Sequence, residues 1–242
     1  MSFNRAEFLK PQPDHTTLTK SMIGIGMNFA DEGDFQADIE ETLLQASIVG
    51  MDGDDLRVLS VLTTWLGIHH KHINVDRLIR GTQELQSERC KAYWSAIAIW
   101  LKKDRRYLRL TNIYEGAQLE LLEVGTSFQV SRRGEDERFK DTPLLVPAGT
   151  LRDRAVDVRS QSILAQKNAG YRNRILMGPS WRADVWTVLE SEQNLSTAEL
   201  ARRVGCSFAT AWQVAQDFKL LYPEQDRREY DNPNSQVHDV GV

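Results

Sequence analysis

The sequence has little cysteine, no long apolar run and no overall excess of positive charge. Its two cysteines, Cys90 and Cys206, are far apart and outside any CxxC pair, which argues against a disulfide framework or a zinc site. No run of about eighteen apolar residues is present, so no membrane-spanning helix and no membrane partner are predicted. The first residues, MSFNRAEFLKPQPDHTT, lack the apolar centre of a signal peptide, and we therefore expect a cytoplasmic protein.

Motifs for catalysis and for cofactor binding are also missing. The sequence has no P-loop, GxSxG or HExxH motif, and Gly24 and Gly26 form a GxG without a third glycine. His69, His70 and His72 stand close together without paired metal-ligand spacing, which favours a solvated loop. We therefore predict no catalytic residue, no metal site, no cofactor and no enzyme activity. An enzyme site assembled from residues distant in the sequence is the alternative.

Charge is unevenly distributed along the chain. The formal net charge of -4 argues against non-specific nucleic-acid binding, because phosphate attraction supplies that affinity. Residues 31–55 contain nine acidic residues and no basic one: Asp31, Glu32, Asp34, Asp38, Glu40, Glu41, Asp52, Asp54 and Asp55. Residues 152–182 contain seven basic residues against two acidic ones. The acidic run is interpreted as a solvated helix surface or as a patch for a basic protein partner.

Helical periodicity dominates the N-terminal part of the chain. Residues 1–33 contain two prolines and no sustained period, which predicts an irregular arm. Apolar residues three and four apart then predict a helical domain over residues 34–104, with helices over about 34–51, 54–67, 74–80 and 87–103. The last of these helices is apolar on most of its circumference, so it is a candidate for the core and for an interface.

The pattern changes twice in the remainder of the chain. Alternating apolar residues and turn signals over residues 105–150 favour short strands and turns, including the run TSFQV at 126–130. A basic helical segment follows over residues 151–221, with short helices over 160–169 and 171–177 and a longer one over 181–190 capped by Ser180. Residues 222–242 contain little apolar surface, which predicts a polar tail.

The segment over residues 196–221 carries a specific motif. Ala201 is followed by Gly205 four residues later and by Val214 nine residues beyond that glycine. A close helix crossing requires a small side chain, and the turn requires a positive φ that glycine adopts without strain. Ser196 and Ser207 stand where they can cap the two helices. These residues resemble the helix-turn-helix of bacterial DNA-binding regulators.

The resemblance implies that the second helix of the motif enters the major groove and reads base edges. The candidate base-reading residues are Ala209, Thr210, Gln213 and Gln216. Glutamine can pair with adenine, and alanine and threonine can contact the thymine methyl group, which favours a site with A·T pairs. The candidate phosphate-binding residues are Arg202, Arg203, Ser207, Lys219, Arg172, Arg174 and Arg182. Phe208 and Trp212 are expected to pack against another helix or domain.

The expected fold is mainly α, α+β overall, with an N-terminal helical domain, short strands in the middle and a C-terminal three-helix helix-turn-helix domain. The implied function is sequence-specific binding of double-stranded DNA by a bacterial transcriptional regulator. Such proteins commonly act as homodimers on half-sites about one DNA turn apart. The alternative is an antitoxin or adaptor that binds a basic protein partner through the acidic N-terminal helix.

Overall fold

The computed structural model describes residues 11–192 and 194–223, and over these residues the chain is mainly helical, as predicted. The α-helices are α1 (His15–Gly24), α2 (Ile39–Met51), α3 (Leu56–His69), α4 (Val75–Glu84), α5 (Glu88–Trp100), α6 (Thr126–Arg133), α7 (Gln161–Lys167), α8 (Ala169–Met177), α9 (Trp181–Ser191), α10 (Thr197–Val204) and α11 (Phe208–Leu221). Short 3-10 helices cover His70–His72, Arg105–Leu110 and Ala155–Asp157. Strands β1 (Leu119–Glu120) and β2 (Leu144–Leu145) pair in parallel.

The four helices predicted between residues 34 and 104 are confirmed as α2 to α5. Each begins directly after a polar side chain that accepts a hydrogen bond from a backbone N–H of the first turn, which is the role of an N-cap. The capping residues are Asp38, Asp55, Asn74 and Ser87. The first helix begins later than predicted because Asp34 accepts from the N–H of Gln36 in a turn, and Asp38 is the cap.

The main core lies between α2, α3 and α5. Two tryptophans are fully buried there, and each has a partner for its indole N–H: Trp65 donates to the carbonyl of Ile25 (2.7 Å) and Trp94 to the hydroxyl of Ser47 (3.0 Å). Most of the α5 side chains are buried, including Cys90. This helix is therefore part of the core and offers little surface to a partner, contrary to the interface expectation.

The prediction of an irregular arm over residues 1–33 is wrong in part, because α1 lies within this range. Asp14 caps this helix, and Leu18 and Met22, one turn apart, are buried in the main core. The local pattern is weak because threonine and glycine are common in this segment, and packing against α2 stabilises the helix instead. Residues 1–10 lie outside the described part of the chain.

The strand expected at residues 126–130 is also wrong, because these residues belong to α6. Phe128, the large aromatic residue of this run, is exposed and does not pack on the core as a strand residue would. Thr126 instead bonds the backbone of Leu122, and the basic pair Arg132 and Arg133 falls in the last turn, where it favours the helix dipole. Among the described residues, β1 and β2 are the strands that the middle region forms.

A buried ionic cluster joins the C-terminal helices to the N-terminal ones. We define it as Glu40 on α2, Arg77 on α4, Arg174 on α8 and Asp184 on α9. Arg174 makes two bonds to Glu40 (2.6 and 2.7 Å) and a third to Asp184 (2.9 Å), and all four side chains are at most 7% exposed. Burial alone raises the pKa of Asp184, but Arg174 and Arg77 outweigh it and hold this pKa below its ordinary value.

Hydrogen bonds from Asn74 and Arg80 complete this attachment. Asn74 donates from its side chain to Asp184 (2.7 Å) and from its backbone to Glu40 (2.9 Å). Arg80 donates to the carbonyl of Gly205 (2.7 Å), so the turn between α10 and α11 is bonded directly to α4. Charged groups that are hydrogen-bonded in this way define one geometry, because a displaced partner leaves a buried charge unpaired.

We predict that Glu40→Gln lowers the free energy of unfolding by about 3 to 5 kcal/mol, because two buried arginines lose the carboxylate opposite them. The matched control is Asp76→Asn, which removes a charge from the exposed pair of Asp76 with Arg109 and is expected to cost at most about 1 kcal/mol. Urea unfolding followed by circular dichroism measures both. Similar losses in the two variants would contradict a structural role for the cluster.

His69 attaches α3 to α8 and is fully buried, so the solvated loop expected around it is wrong for this residue. Its Nε2 lies 3.1 Å from the carbonyl of Arg159 and its Nδ1 lies 2.7 Å from the hydroxyl of Tyr171. Because a carbonyl only accepts, Nε2 carries the proton and Nδ1 accepts from Tyr171. Burial lowers the pKa of His69 to about 4.

We predict that this histidine makes the protein less stable as the pH falls from 6.5 to 4. In that range the unfolded chain binds a proton that the folded His69 does not, so the stability present above pH 6.5 is lost progressively, by up to about 3 kcal/mol. The measurement is urea unfolding between pH 7.5 and pH 4, compared with His69→Gln. If the variant keeps the full pH dependence of the wild type, other groups are responsible.

Candidate nucleic-acid interface

Helices α9, α10 and α11 form a small unit with a hydrophobic core of its own. Leu200, Val204 and Val214 lie in this core, and Cys206 packs against it, as predicted. The ring of Trp186 lies 4.9 Å from the ring of Phe218, centre to centre, in an edge-to-face contact. The unit therefore has enough buried apolar surface to hold α11 in place.

The turn between α10 and α11 has the geometry that the sequence predicts. Gly205 has a φ of 82° and lies in the left-handed region, and the N–H groups of Gly205 and Cys206 both donate to the carbonyl of Ala201. Ser196 and Ser207 accept from the backbone of Glu199 (3.2 Å) and Thr210 (3.1 Å), so both predicted caps are confirmed. These contacts fix where α11 starts.

The predicted cap of α9 is wrong. The hydroxyl of Ser180 makes no bond to the first turn of that helix and donates instead to the carbonyl of Gly178. Gly178 has a positive φ of 79°, which ends α8 and redirects the chain into α9. A cation–π contact between Arg77 and Trp181 helps to hold the start of α9 instead. The guanidinium carbon of Arg77 lies 5.9 Å from the centre of the Trp181 ring.

Helix α11 has one buried face and one exposed face. Ala211, Val214 and Phe218, spaced three and four residues apart, point into the core. Ala209, Gln213 and Gln216 lie on the opposite, exposed face, and Thr210 lies half-buried at its edge with its hydroxyl 2.8 Å from that of Ser207. The structure thus brings three of the four predicted base-reading residues onto one open surface.

Asp217 orients the amide of Gln213. The side-chain nitrogen of Gln213 donates to one Asp217 oxygen (3.2 Å), and Arg182 donates to the other (2.6 Å). Arg182 and hydrogen bonding by Gln213 lower the pKa of Asp217, so the carboxylate is charged at neutral pH. A chain of three side chains therefore holds the Gln213 amide at the exposed surface.

Most of the predicted phosphate-binding residues are exposed around this unit. Arg202, Arg203, Ser207 and Lys219 are exposed, and Arg172 and Arg182 are nearly half exposed. Several of these arginines form exposed ion pairs, such as Arg202 with Glu199 (2.8 Å) and Arg203 with Glu192 (2.5 Å). Exposed pairs of this kind contribute little stability, so a phosphate group can replace the carboxylate.

Arg174 is the exception, and its predicted role in phosphate binding is wrong. Its side chain is 3% exposed and is bonded to Glu40 and Asp184 in the ionic cluster. A phosphate cannot reach it without opening the contact between α8 and α2. The sequence pattern predicted a surface position for Arg174 because its partner carboxylate, on α2, is distant along the chain.

The expected packing of Phe208 and Trp212 is wrong as well. These side chains are 58% and 48% exposed, and no helix in the described part of the chain covers them. The inward position between them is taken by the small Ala211, while Trp186 and Phe218 supply the aromatic part of the core. The two exposed aromatic side chains therefore belong to the surface of α11.

Part of the acidic run at residues 31–55 makes contacts within the chain. Helix α2 is a core helix, and its Glu40 is fully buried in the ionic cluster, so the solvated-surface interpretation is wrong for this helix. Asp38 contacts Arg77, Asp52 accepts from Ser87 and Asp54 accepts from Arg89. Asp31, Glu32, Asp34, Asp52 and Asp54 are exposed, so the run presents a basic partner with part of the acidic surface that the sequence suggests.

No family model matches the chain, and no curated protein or solved structure matches it. Among the described residues, no three histidine, cysteine or carboxylate side chains are placed to hold a metal ion. In the same part of the chain, no helix combines the length and the apolar character needed to cross a bilayer. The geometry of α9 to α11 is therefore the observation on which a function can be argued.

Proposed function

We propose that this protein binds specific double-stranded DNA and regulates transcription, with α11 lying in the major groove. The observation that carries the proposal is the exposed face of α11: Ala209, Gln213 and Gln216 are open to solvent while Ala211, Val214 and Phe218 hold the helix from behind. A helix presented in this way, at the end of a three-helix unit, is the element that enters the groove in helix-turn-helix proteins.

The chemistry of this face suits base edges. An amide side chain accepts through its oxygen and has two N–H donors, so Gln213 can bond Asp217 and still pair with an adenine through two hydrogen bonds. Gln216 lies one turn away along the same face and offers the same groups. Ala209 leaves room for a base pair at the start of the helix. We therefore expect a binding site that contains A·T pairs.

Phosphate contacts would come from the rim of the same unit. The N-terminus of α11, capped by Ser207, provides backbone N–H groups and a favourable helix dipole for a phosphate. Arg182 and Lys219 flank the same helix, and Arg202 lies on α10. Because the whole chain carries a net charge of -4, this local charge gives weak attraction to DNA in general and leaves specificity to the base contacts.

A single α11 covers only a few base pairs, so the proposal includes a homodimer that places two readers on half-sites about one DNA turn apart. The antitoxin or adaptor alternative has less support, because Glu40 on the acidic helix α2 is buried in the ionic cluster and Asp38 contacts Arg77.

The test is selection of bound sequences from a random DNA pool at about 150 mM salt, where screening suppresses loose phosphate binding. The wild type is expected to enrich a palindrome. Gln213→Ala is then expected to weaken binding to that site by roughly 1 to 3 kcal/mol with little change on unrelated DNA, whereas Arg202→Ala weakens binding to both.

The control is Gln166→Ala, which removes the same side chain from an exposed position on α7. It is expected to leave binding unchanged. The proposal fails if the folded wild type enriches no sequence. The role given to Gln213 fails if its replacement weakens specific and unrelated DNA equally.

A further inference from the structure

Phe208 and Trp212 form an apolar strip along α11, and this strip borders the face that carries the glutamines. Residues four apart on a helix are separated by about 40° around the axis. Trp212 therefore lies between Phe208 on one side and Gln216 on the other, one turn away in each direction. The strip and the polar base-reading residues form one continuous surface.

The exposure of two aromatic rings at this position is unfavourable in free energy, since each ring leaves about half of a large apolar surface in water. The core of the unit does not explain their presence, because Trp186 and Phe218 fill it and Ala211 occupies the inward position beside Trp212. The strip also makes no ring contact with Tyr222, which packs on Phe218 at 4.6 Å between ring centres. An external apolar partner accounts for both rings.

The position of the strip, more than its size, decides between two partners. The exposed parts of the two rings amount to about 200 Å², and Leu220, Leu221 and Tyr222 add exposed apolar surface at the end of α11. A stable protein interface needs about 800 Å² from each partner, so a second copy of the chain would have to cover surface well beyond the two rings. A duplex lying against Gln213 and Gln216, in contrast, must pass over Trp212, because these side chains share one surface.

The apolar group that the major groove presents is the methyl group of thymine. We propose that Trp212, with Phe208 one turn away on the same strip, contacts thymine methyl groups and selects thymine at positions next to those read by the glutamines. This inference rests on the proposed DNA-binding function. It adds an apolar specificity element to the polar one, and it requires that the selected site contain a thymine whose methyl group faces the strip.

The test replaces single thymines by uracil in the site that the wild type selects, which removes one methyl group and leaves every hydrogen-bonding group in place. Each half-site is expected to contain one thymine at which this substitution matters. Replacing that thymine in one half-site is expected to lower the affinity of the wild type about fourfold, the value for one buried methyl group. Trp212→Ala is expected to bind the thymine site more weakly and to show no difference between thymine and uracil there.

The controls separate this inference from the proposed function. Phe128→Ala removes another exposed aromatic side chain, on α6, and is expected to keep the full uracil effect. If the wild type selects no site, the proposed function fails. If it selects a site but Trp212→Ala keeps the same thymine-to-uracil ratio, or if the variant instead dissociates a dimer in sedimentation, only the inference about Trp212 is overturned.

Thermal unfolding shows whether Trp212→Ala is folded, and Phe208→Ala provides a second variant of the same strip. Both residues are largely exposed, so both variants are expected to keep the melting temperature of the wild type within a few degrees. A partial loss of the uracil effect is expected for Phe208→Ala, because Phe208 lies one turn before Trp212 and belongs to the same apolar strip. An unchanged effect in both folded variants overturns the inference.

Discussion

The buried ionic cluster of Glu40, Arg77, Arg174 and Asp184 is the interaction on which the arrangement of the molecule depends. Charges removed from water are stabilised only by close, well-directed partners, so the cluster permits one placement of α8 and α9 against α2 and α4. The bond from Arg80 to the carbonyl of Gly205 then fixes the following turn. The exposed face of α11 is therefore held in a defined position relative to the N-terminal helices.

This arrangement explains why the charge of the whole chain is a poor guide to the proposed function. The acidic run lies partly inside the protein, where Glu40 neutralises an arginine that the sequence assigns to the surface. The open surface of α11 is polar and aromatic, and the arginines around it are held in exposed ion pairs. Specificity through base contacts, with modest phosphate attraction, is the mode of DNA binding that suits such a surface.

Local signals made much of the fold predictable. Each of α2 to α5 follows a capping residue, and Gly205 marks a turn that only a residue with a positive φ forms easily. Two of the failures share a physical cause, which is contact between distant parts of the chain. Helix α1 forms because it packs on α2, and Arg174 is buried because Glu40 is opposite it. Trp212 is exposed because Ala211 fills the inward position, which spacing alone does not reveal.

The most direct test of the account is to map where DNA touches the protein. A duplex containing the selected site, with iodouracil in place of its thymines, is cross-linked by light and the linked peptides are identified by mass spectrometry. The account predicts cross-links to residues 208–216 on α11, with Trp212 among the linked side chains. Cross-links confined to other parts of the chain, such as the arginines of α6, would contradict it.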